Sequence, residues 1–223
     1  MSKWDPANPG KYLGTAEDWD KVQNAMRAIL DDIGLEYTEE DGEAAFYGPK
    51  LDIQAKNVYG KEDTMITIQL DMFLAERYDM YYIDANGEKK RPYIIHRTSM
   101  GCYERTLAWL IEHYAGKFPT WLSPLQVKIL PVSEKTRAYA LEVGEKLRAA
   151  GVRVKVDDRD EKIGYKIREA RSVDRVPYML ILGEKEKEAG NISVRDRATN
   201  ETTQRDLADF VKDICQEIKE RRG

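Results

Sequence analysis

Residues 45–52 place an aromatic pair, a Gly-Pro step, a cation and a carboxylate in eight positions: Ala45-Phe46-Tyr47-Gly48-Pro49-Lys50-Leu51-Asp52. Turn chemistry alone makes this a hairpin turn. Further on, Thr67 and Gln69 alternate with Ile66, Ile68 and Leu70, so their polar side chains share one strand face. The run 92–98 closes on the cationic pair His96-Arg97, and after Met100-Gly101 the period becomes helical. Arg105 then falls in the first turn of a helix, where the macrodipole favours anions. One reading is that Arg105 is presented to an anionic ligand beside free backbone N–H groups. The other is that Glu104 or another carboxylate neutralises it. His96 is one of two histidines; a metal site needs about three protein ligands, and no Cys/His cluster supplies them.

The elements that must hold these residues follow from periodicity. Residues 16–34 form an amphipathic helix, with Trp19, Val22, Met26, Ile29, Leu30 and Ile33 on one face and Gly34 ending it. Strands are expected at 35–38, 44–47, 51–57, 64–72, 78–84 and 92–98, with Ala85-Asn86-Gly87 as a turn. The 64–72 strand has one apolar and one polar face, as in a sheet with a buried side and a working side. A helix from about 103 buries Tyr103, Leu107, Leu110 and Ile111. Residues 1–15, with two prolines and two glycines, read as an irregular lead-in.

Residues 116–124 (GKFPTWLSP) read as a fixed, packed connector. Beyond it strands at 126–132, 152–156, 176–182 and 191–195 alternate with helices at 134–150, 161–173 and 203–222. That alternation gives an α/β unit with a mostly parallel mixed sheet. The overall class is α/β, with an α+β first half: an antiparallel sheet with flanking helices over 1–121, then an α/β domain over 122–223. Asp160-Glu161 opens a helix carrying Lys162, Lys166 and Arg168, which on pattern alone is an ordinary solvated helix face.

Composition narrows the class. A chain of 223 residues suits one large or two small domains. A net charge of −4 with 34% charged residues gives no global field for nucleic acid, so an RNA partner would need a local basic face. Two distant cysteines, Cys102 and Cys215, fit a reducing cytoplasm. No apolar stretch is long enough to span a bilayer, and no leader is evident.

Gly101-Cys102-Tyr103-Glu104-Arg105 resembles motif 3 of class II aminoacyl-tRNA synthetases, and the longer phrase IHRTSMGCYERTLAWLIEHYAGKFPTWLSPLQV is similar to the threonyl-tRNA synthetase version. The resemblance runs over nearly the whole chain. It implies the latter part of a class II catalytic domain (motif 3 at about 92–112) followed by an anticodon-binding domain. It implies ATP with Mg2+, threonine and threonine tRNA as ligands, a homodimer in the complete enzyme, and the ATP-dependent charging of that tRNA. By the same resemblance Tyr47 lines the threonine pocket and Lys50 lies near the nucleotide. Thr67 and Gln69 face the substrates, and Arg105 clamps the ATP phosphates. His96 is one of three zinc ligands, the other two lying outside this chain. A metal that coordinates the threonine hydroxyl rejects valine where an apolar pocket could not.

The same resemblance implies that Asp160, Lys162, Arg168, Glu186 and Arg195 fall where the anticodon is read, with Asp160 at a position where many relatives carry Asn. Thr64 stands where the commonest pattern has a nucleotide-side Gln. Motifs 1 and 2 are not found before Lys50, so the expectation is a half site, inactive by itself. The alternative is a non-catalytic paralogue that binds tRNA or another RNA through residues 125–223.

Overall fold

The computed structural model describes residues 1–222, and the chain divides into two compact units that part between Trp109 and Leu110. The first comprises β1 (Ser2–Lys3), α1 (Ala16–Asp32), β2 (Glu40–Asp41), β3 (Lys50–Lys56), β4 (Glu62–Asp71), α2 (Leu74–Arg77), β5 (Tyr82–Ile83), β6 (Lys89–Lys90) and β7 (Ile94–Arg97). Helix α3 (Tyr103–His113) begins in it.

The main sheet has the order β2-β1-β3-β4-β7 and is antiparallel apart from the short β1–β2 pair. One face carries Leu51 and Ile68, which pack with Met1, Met26, Leu30 and Tyr37 under α1. Helix α1 starts on a capping box, Thr15 and Asp18 bonding each other's backbone N–H. The opposite sheet face is polar.

Residues 1–15 are irregular for most of their length, as expected, but they are packed. Ser2 pairs with Glu40 and Lys50, and Trp4 and Tyr12 pack on the fully buried Trp19. Aromatic burial recovers enough apolar area to order a segment whose prolines and glycines disfavour regular structure. The expected strands at 35–38 and 44–47 do not form. Ala45 bridges directly to Gly48, and the chain turns there into β3. The 78–84 strand shrinks to the β5–β6 hairpin.

Helix α3 departs most from expectation. None of its residues is buried, and Tyr103 and Leu107 are 75% and 54% exposed. Periodicity identifies which face of a helix is apolar; whether anything covers that face is decided by tertiary structure.

The second unit contains β8 (Val127–Pro131), α4 (Glu134–Ala149), β9 (Val154–Val156), α5 (Ile163–Ser172), β10 (Tyr178–Leu182), α6 (Glu184–Ala189), β11 (Ile192–Asp196), β12 (Thr202–Arg205) and α7 (Leu207–Glu220). Its sheet order is β12-β11-β10-β8-β9: β9, β8 and β10 run parallel, and β11 and β12 add an antiparallel edge. The last helix therefore starts at Leu207 rather than 203, because Thr202–Arg205 pairs with β11.

Both faces of this sheet have apolar cover. Val127, Ile129, Leu180, Leu182, Ile192 and Val194 pack with residues of α4 and α7; Leu130 and Met179 pack with Ala170, Ile163 and Ile167 of α5. Lys128 is buried on the α5 side, and Asp157 (3.4 Å), Glu169 (3.3 Å) and Asp174 neutralise it. The 116–124 connector is packed as expected. Gln126 donates to Thr120 O, Arg153 to Trp121 O and Ser123 O, and Arg197 to Lys117 O and Phe118 O.

Candidate functional site

The polar face of the first sheet collects the side chains that the sequence singled out. In the antiparallel register Lys50 lies opposite Gln69, and Gln69 opposite His96, so the three form one row across β3, β4 and β7. Two residues along, Asp52 lies opposite Thr67. Thr67 Oγ1 donates to Asp52 Oδ1 (2.7 Å), and Lys50 Nζ donates to Asp52 Oδ2 (2.6 Å). The Tyr47 hydroxyl donates to Gln69 Oε1, and its ring lies 5.6 Å from the His96 ring. Tyr47, Lys50, Thr67, Gln69 and His96 are all half-buried. Their polar ends are fixed yet accessible.

Tyr47 sits in the tight turn that Ala45 and Gly48 close, as the sequence led us to expect, and residues 47–49 lead from it into β3. Leu70 N–H donates to Pro49 O and Met72 N–H to Tyr47 O, so the segment prolongs β3 along β4. A Cβ on Gly48 would lie 1.7 Å from the Leu70 carbonyl oxygen, a contact that only glycine escapes.

Arg105 enters at the other end of β4. The β3–β4 register shifts between Ile53 and Gln54, which leaves Met65 without an opposite partner. The bulge turns out two carbonyls. Arg105 Nη1 donates to Thr64 O (3.0 Å), while Gly101, at φ +65°, passes so close that a Cβ would lie 2.2 Å from Met65 O. Glu104 does not neutralise Arg105, since its carboxylate takes the Cys102 thiol (3.0 Å). Among the described residues Arg105 has no carboxylate partner, and it is exposed. Thr64 and Gln69 are five positions apart on β4, roughly 16 Å. The face thus has a cationic end at Arg105 and a hydrogen-bonding end at Tyr47, Gln69 and His96.

Two residues to which the sequence reading gave no role belong to this face. Asp52 holds both Lys50 and Thr67. Asp71, fully buried, places Oδ2 2.9 Å from His96 Nε2. Each lies two residues from a recognised one on the same strand face, and that spacing was the available signal.

The described residues contain no group of three or more His, Cys, Asp or Glu able to hold a metal ion. His96 nevertheless has the environment of a ligand. One ring nitrogen is tied to a buried carboxylate, as the second nitrogen of metal-bound histidines commonly is. The residues here fit one corner of a metal site.

In the second unit Asp160 and Lys162 follow β9, and Glu186 follows β10, so all three lie beyond the carboxyl ends of parallel strands. Open α/β sheets bind ligands there. Asp160, Lys162 and Arg168 are exposed. Glu186 is partly committed internally: Oε2 accepts Gly183 N–H and Oε1 the Ser193 hydroxyl, each at 2.8 Å. Burial acts to raise its pKa, and these bonds outweigh burial, so the carboxyl sits below its usual value. Arg195 shares the Ser193 face of β11 but lies two residues, about 7 Å, towards the amino end of β10. It donates to Asn200 Oδ1 (2.9 Å), and its buried Nε has no partner among the described residues.

Comparison with known proteins joins the two surfaces. The family model for the tRNA synthetase class II core domain (G, H, P, S and T) matches residues 13–114, and that for an anticodon binding domain matches 126–217. A threonine–tRNA ligase of Clostridium perfringens is 62% identical over 221 residues, covering 99% of this chain and 34% of that protein. The chain belongs to the threonyl-tRNA synthetase family.

A threonine–tRNA ligase of Lactobacillus gasseri is 48% identical over 98% of the chain, again 34% of that protein. The chain thus spans about a third of the length of the curated relatives that it matches. A crystal structure of the RNA binding domain of threonyl-tRNA synthetase from Cryptosporidium parvum Iowa II superposes with TM-score 0.84 at 35% identity. It covers 96% of this chain and 53% of that one. A putative threonyl-tRNA synthetase from Aeropyrum pernix gives TM-score 0.75 at 28% identity, covering 98% and 52%. Both likenesses span the two units, so they bear out the expected class: a class II antiparallel sheet followed by a mixed α/β domain. Among the described residues no helix is long and apolar enough to cross a membrane.

Proposed function

We propose that this chain provides part of the adenylation site and the anticodon-reading domain of a threonine–tRNA ligase. The observation that carries the reading is the Lys50–Gln69–His96 row, with Tyr47 at one end of its sheet face and the carboxylate-free Arg105 at the other. A cationic end and a hydrogen-bonding end roughly 16 Å apart suit a nucleotide triphosphate and a small polar amino acid laid end to end.

In this reading Arg105 stabilises charge on the ATP phosphates, with Mg2+ bound by the nucleotide, and Lys50 lies near the same nucleotide. Adenylation needs positioning and charge stabilisation rather than a covalent protein group, and these residues supply both. Gln69, Thr67 and Tyr47 orient threonine. His96 is one zinc ligand, the remaining ligands coming from outside these residues. Zinc, when bound, coordinates the substrate hydroxyl and gives the discrimination against valine. Residues 1–121 are assigned to the catalytic part and 122–223 to anticodon recognition, through Asp160, Lys162, Arg168, Glu186 and Arg195. Threonine tRNA is the macromolecular partner, the complete ligase is a homodimer, and the reaction takes place in the cytoplasm.

The test combines two measurements. Adenylation is followed by ATP–pyrophosphate exchange, with this chain alone and with the preceding portion of a threonine–tRNA ligase added in trans. Exchange that requires both parts supports the reading; none with both parts overturns the catalytic half. Binding of the chain to threonine tRNA and to an anticodon-altered tRNA is then compared at two salt concentrations, because phosphate contacts alone weaken steeply with salt. A preference for the native anticodon that persists at the higher salt is expected. Its absence overturns the assignment of the second domain, and anticodon-dependent binding without complemented exchange favours the RNA-binding paralogue.

A further inference from the structure

We propose that Asp71 is a positioning residue: it fixes which nitrogen of His96 carries the proton and turns the other towards the polar face of the sheet. Asp71 is the last residue of β4 and sits diagonally across from His96 in the β4–β7 register, where Gln69 is directly opposite His96 and Ile94 directly opposite Asp71. Its side chain is 0% exposed. Both oxygens are in use. Oδ1 accepts the N–H groups of Phe73 (3.0 Å) and Leu74 (2.9 Å) at the start of α2, and Oδ2 faces His96 Nε2 at 2.9 Å.

An ionised carboxylate can only accept, so the His96 nitrogen facing it must be the donor. In a neutral imidazole the proton is then on Nε2, and Nδ1 carries the lone pair. Because Oδ1 is anchored by two backbone N–H groups, the carboxylate has little freedom to turn away. The Tyr47 ring packs beside the imidazole, and its hydroxyl is held by Gln69 Oε1. Carboxylate and phenol together leave the ring one orientation, with Nδ1 available to a ligand.

Residues that orient metal-bound histidines typically act in this way, and the consequence for metal binding rests on the ligand reading of His96 proposed above. Control of the tautomer does not depend on it. The informative substitution is Asp71→Asn. The amide oxygen retains the acceptor for the Phe73 and Leu74 N–H groups, while the amide nitrogen turns a donor to Nε2. His96 must then accept at Nε2 and carry its proton on Nδ1. Asp71→Ser is the second variant: its hydroxyl can still cap α2 but is too short to hold His96.

Long-range 1H–15N correlation spectra of this chain at alkaline pH report the tautomers directly. There are only two histidines, so His113→Asn completes the assignment. In the unsubstituted chain the Nε2–H form of His96 is expected to exceed the other by about tenfold or more, the ratio set by one buried hydrogen bond. Asp71→Asn should invert that preference, and Asp71→Ser should return His96 to the ratio of an unrestrained imidazole. An unchanged ratio in Asp71→Asn, or an unrestrained ratio in the parent chain, overturns the proposal.

In the full-length ligase, Asp71→Asn should weaken zinc retention against a chelator by about 10- to 100-fold. Inverted tautomers with unchanged zinc retention would uphold the role of Asp71 and remove His96 from the zinc site, so the two readings fail separately.

Discussion

The two units use their sheets in opposite ways. The second covers both faces with helices, closes its core around residues such as Ile129, Leu180 and Leu182 that are wholly buried, and neutralises its one buried strand lysine with three carboxylates. The first packs α1 on one face and leaves the other lined with Tyr47, Lys50, Asp52, Thr67, Gln69 and His96, while α3 buries no residue. A face that stays polar and partly open has given up burial energy in exchange for prearranged donors and charges. The comparison teaches where stability and function are separated. In the second unit the residues proposed to read the anticodon are few in the core; in the first the sheet that supports the fold also carries the proposed site.

The contrast predicts a ranking of effects. Leu180→Ala, which empties space inside the second core, should cost about 2–5 kcal/mol in urea denaturation followed by a probe in that unit. The corresponding truncation Leu107→Ala on α3 should cost less than about 0.5 kcal/mol. Equal costs would break the comparison. Arg105→Ala should lower ATP–pyrophosphate exchange of the full-length ligase by about 10²–10³-fold and leave the melting curve of this chain unmoved. A loss of stability matching the loss of exchange would make Arg105 structural.

A smaller effect concerns pH. The Arg159 guanidinium, with help from Lys128 and against burial, holds the Asp157 carboxyl at about 2, below its ordinary 3.8. A depressed folded-state pKa adds stability above the unfolded value and loses it as pH falls through the folded one. Asp157→Asn should therefore destabilise the second unit by roughly 2 kcal/mol at neutral pH, and the gap from the parent should close between about pH 4 and pH 2. A gap independent of pH would show that the carboxylate's charge is irrelevant. An effect smaller than that of Asp157 should be common to both units. Thr15→Ala at the start of α1 and Asp206→Ala at the start of α7 remove a helix cap each, and each should cost about 1 kcal/mol by thermal denaturation.

Long periodic elements were legible from the chain. Helices α1 and α4 and strands β3, β4, β8 and β10 lie close to their expected positions, because each alternation or helical repeat spans enough residues to override local noise. Strand β12 and helix α6 were missed. Both are short, polar and exposed along most of their length, and they exist because neighbours supply the pairing, β11 for Thr202–Arg205 and the Gly183–Glu186 cap for α6. The packing of the lead-in went unforeseen for a related reason: Trp4 and Tyr12 are ordered by contact with Trp19, a tertiary event that local composition does not announce.

The sequence by itself determined the family, through the 92–112 phrase, and the polar strand face of Thr67 and Gln69, since side-chain direction alternates strictly along a strand. It also singled out Arg105 as an arginine in an unfavourable first turn. Register and partnership were left to tertiary structure. Only the β3–β4–β7 pairing sets Lys50, Gln69 and His96 in one row, because register depends on how separate strands meet. Only packing commits Asp71 to His96 and Asp52 to Lys50 and Thr67, and leaves Arg105 on a backbone carbonyl rather than on Glu104. The Arg105 bond is a matter of ångströms between groups 41 residues apart in the chain, a distance that no local pattern encodes.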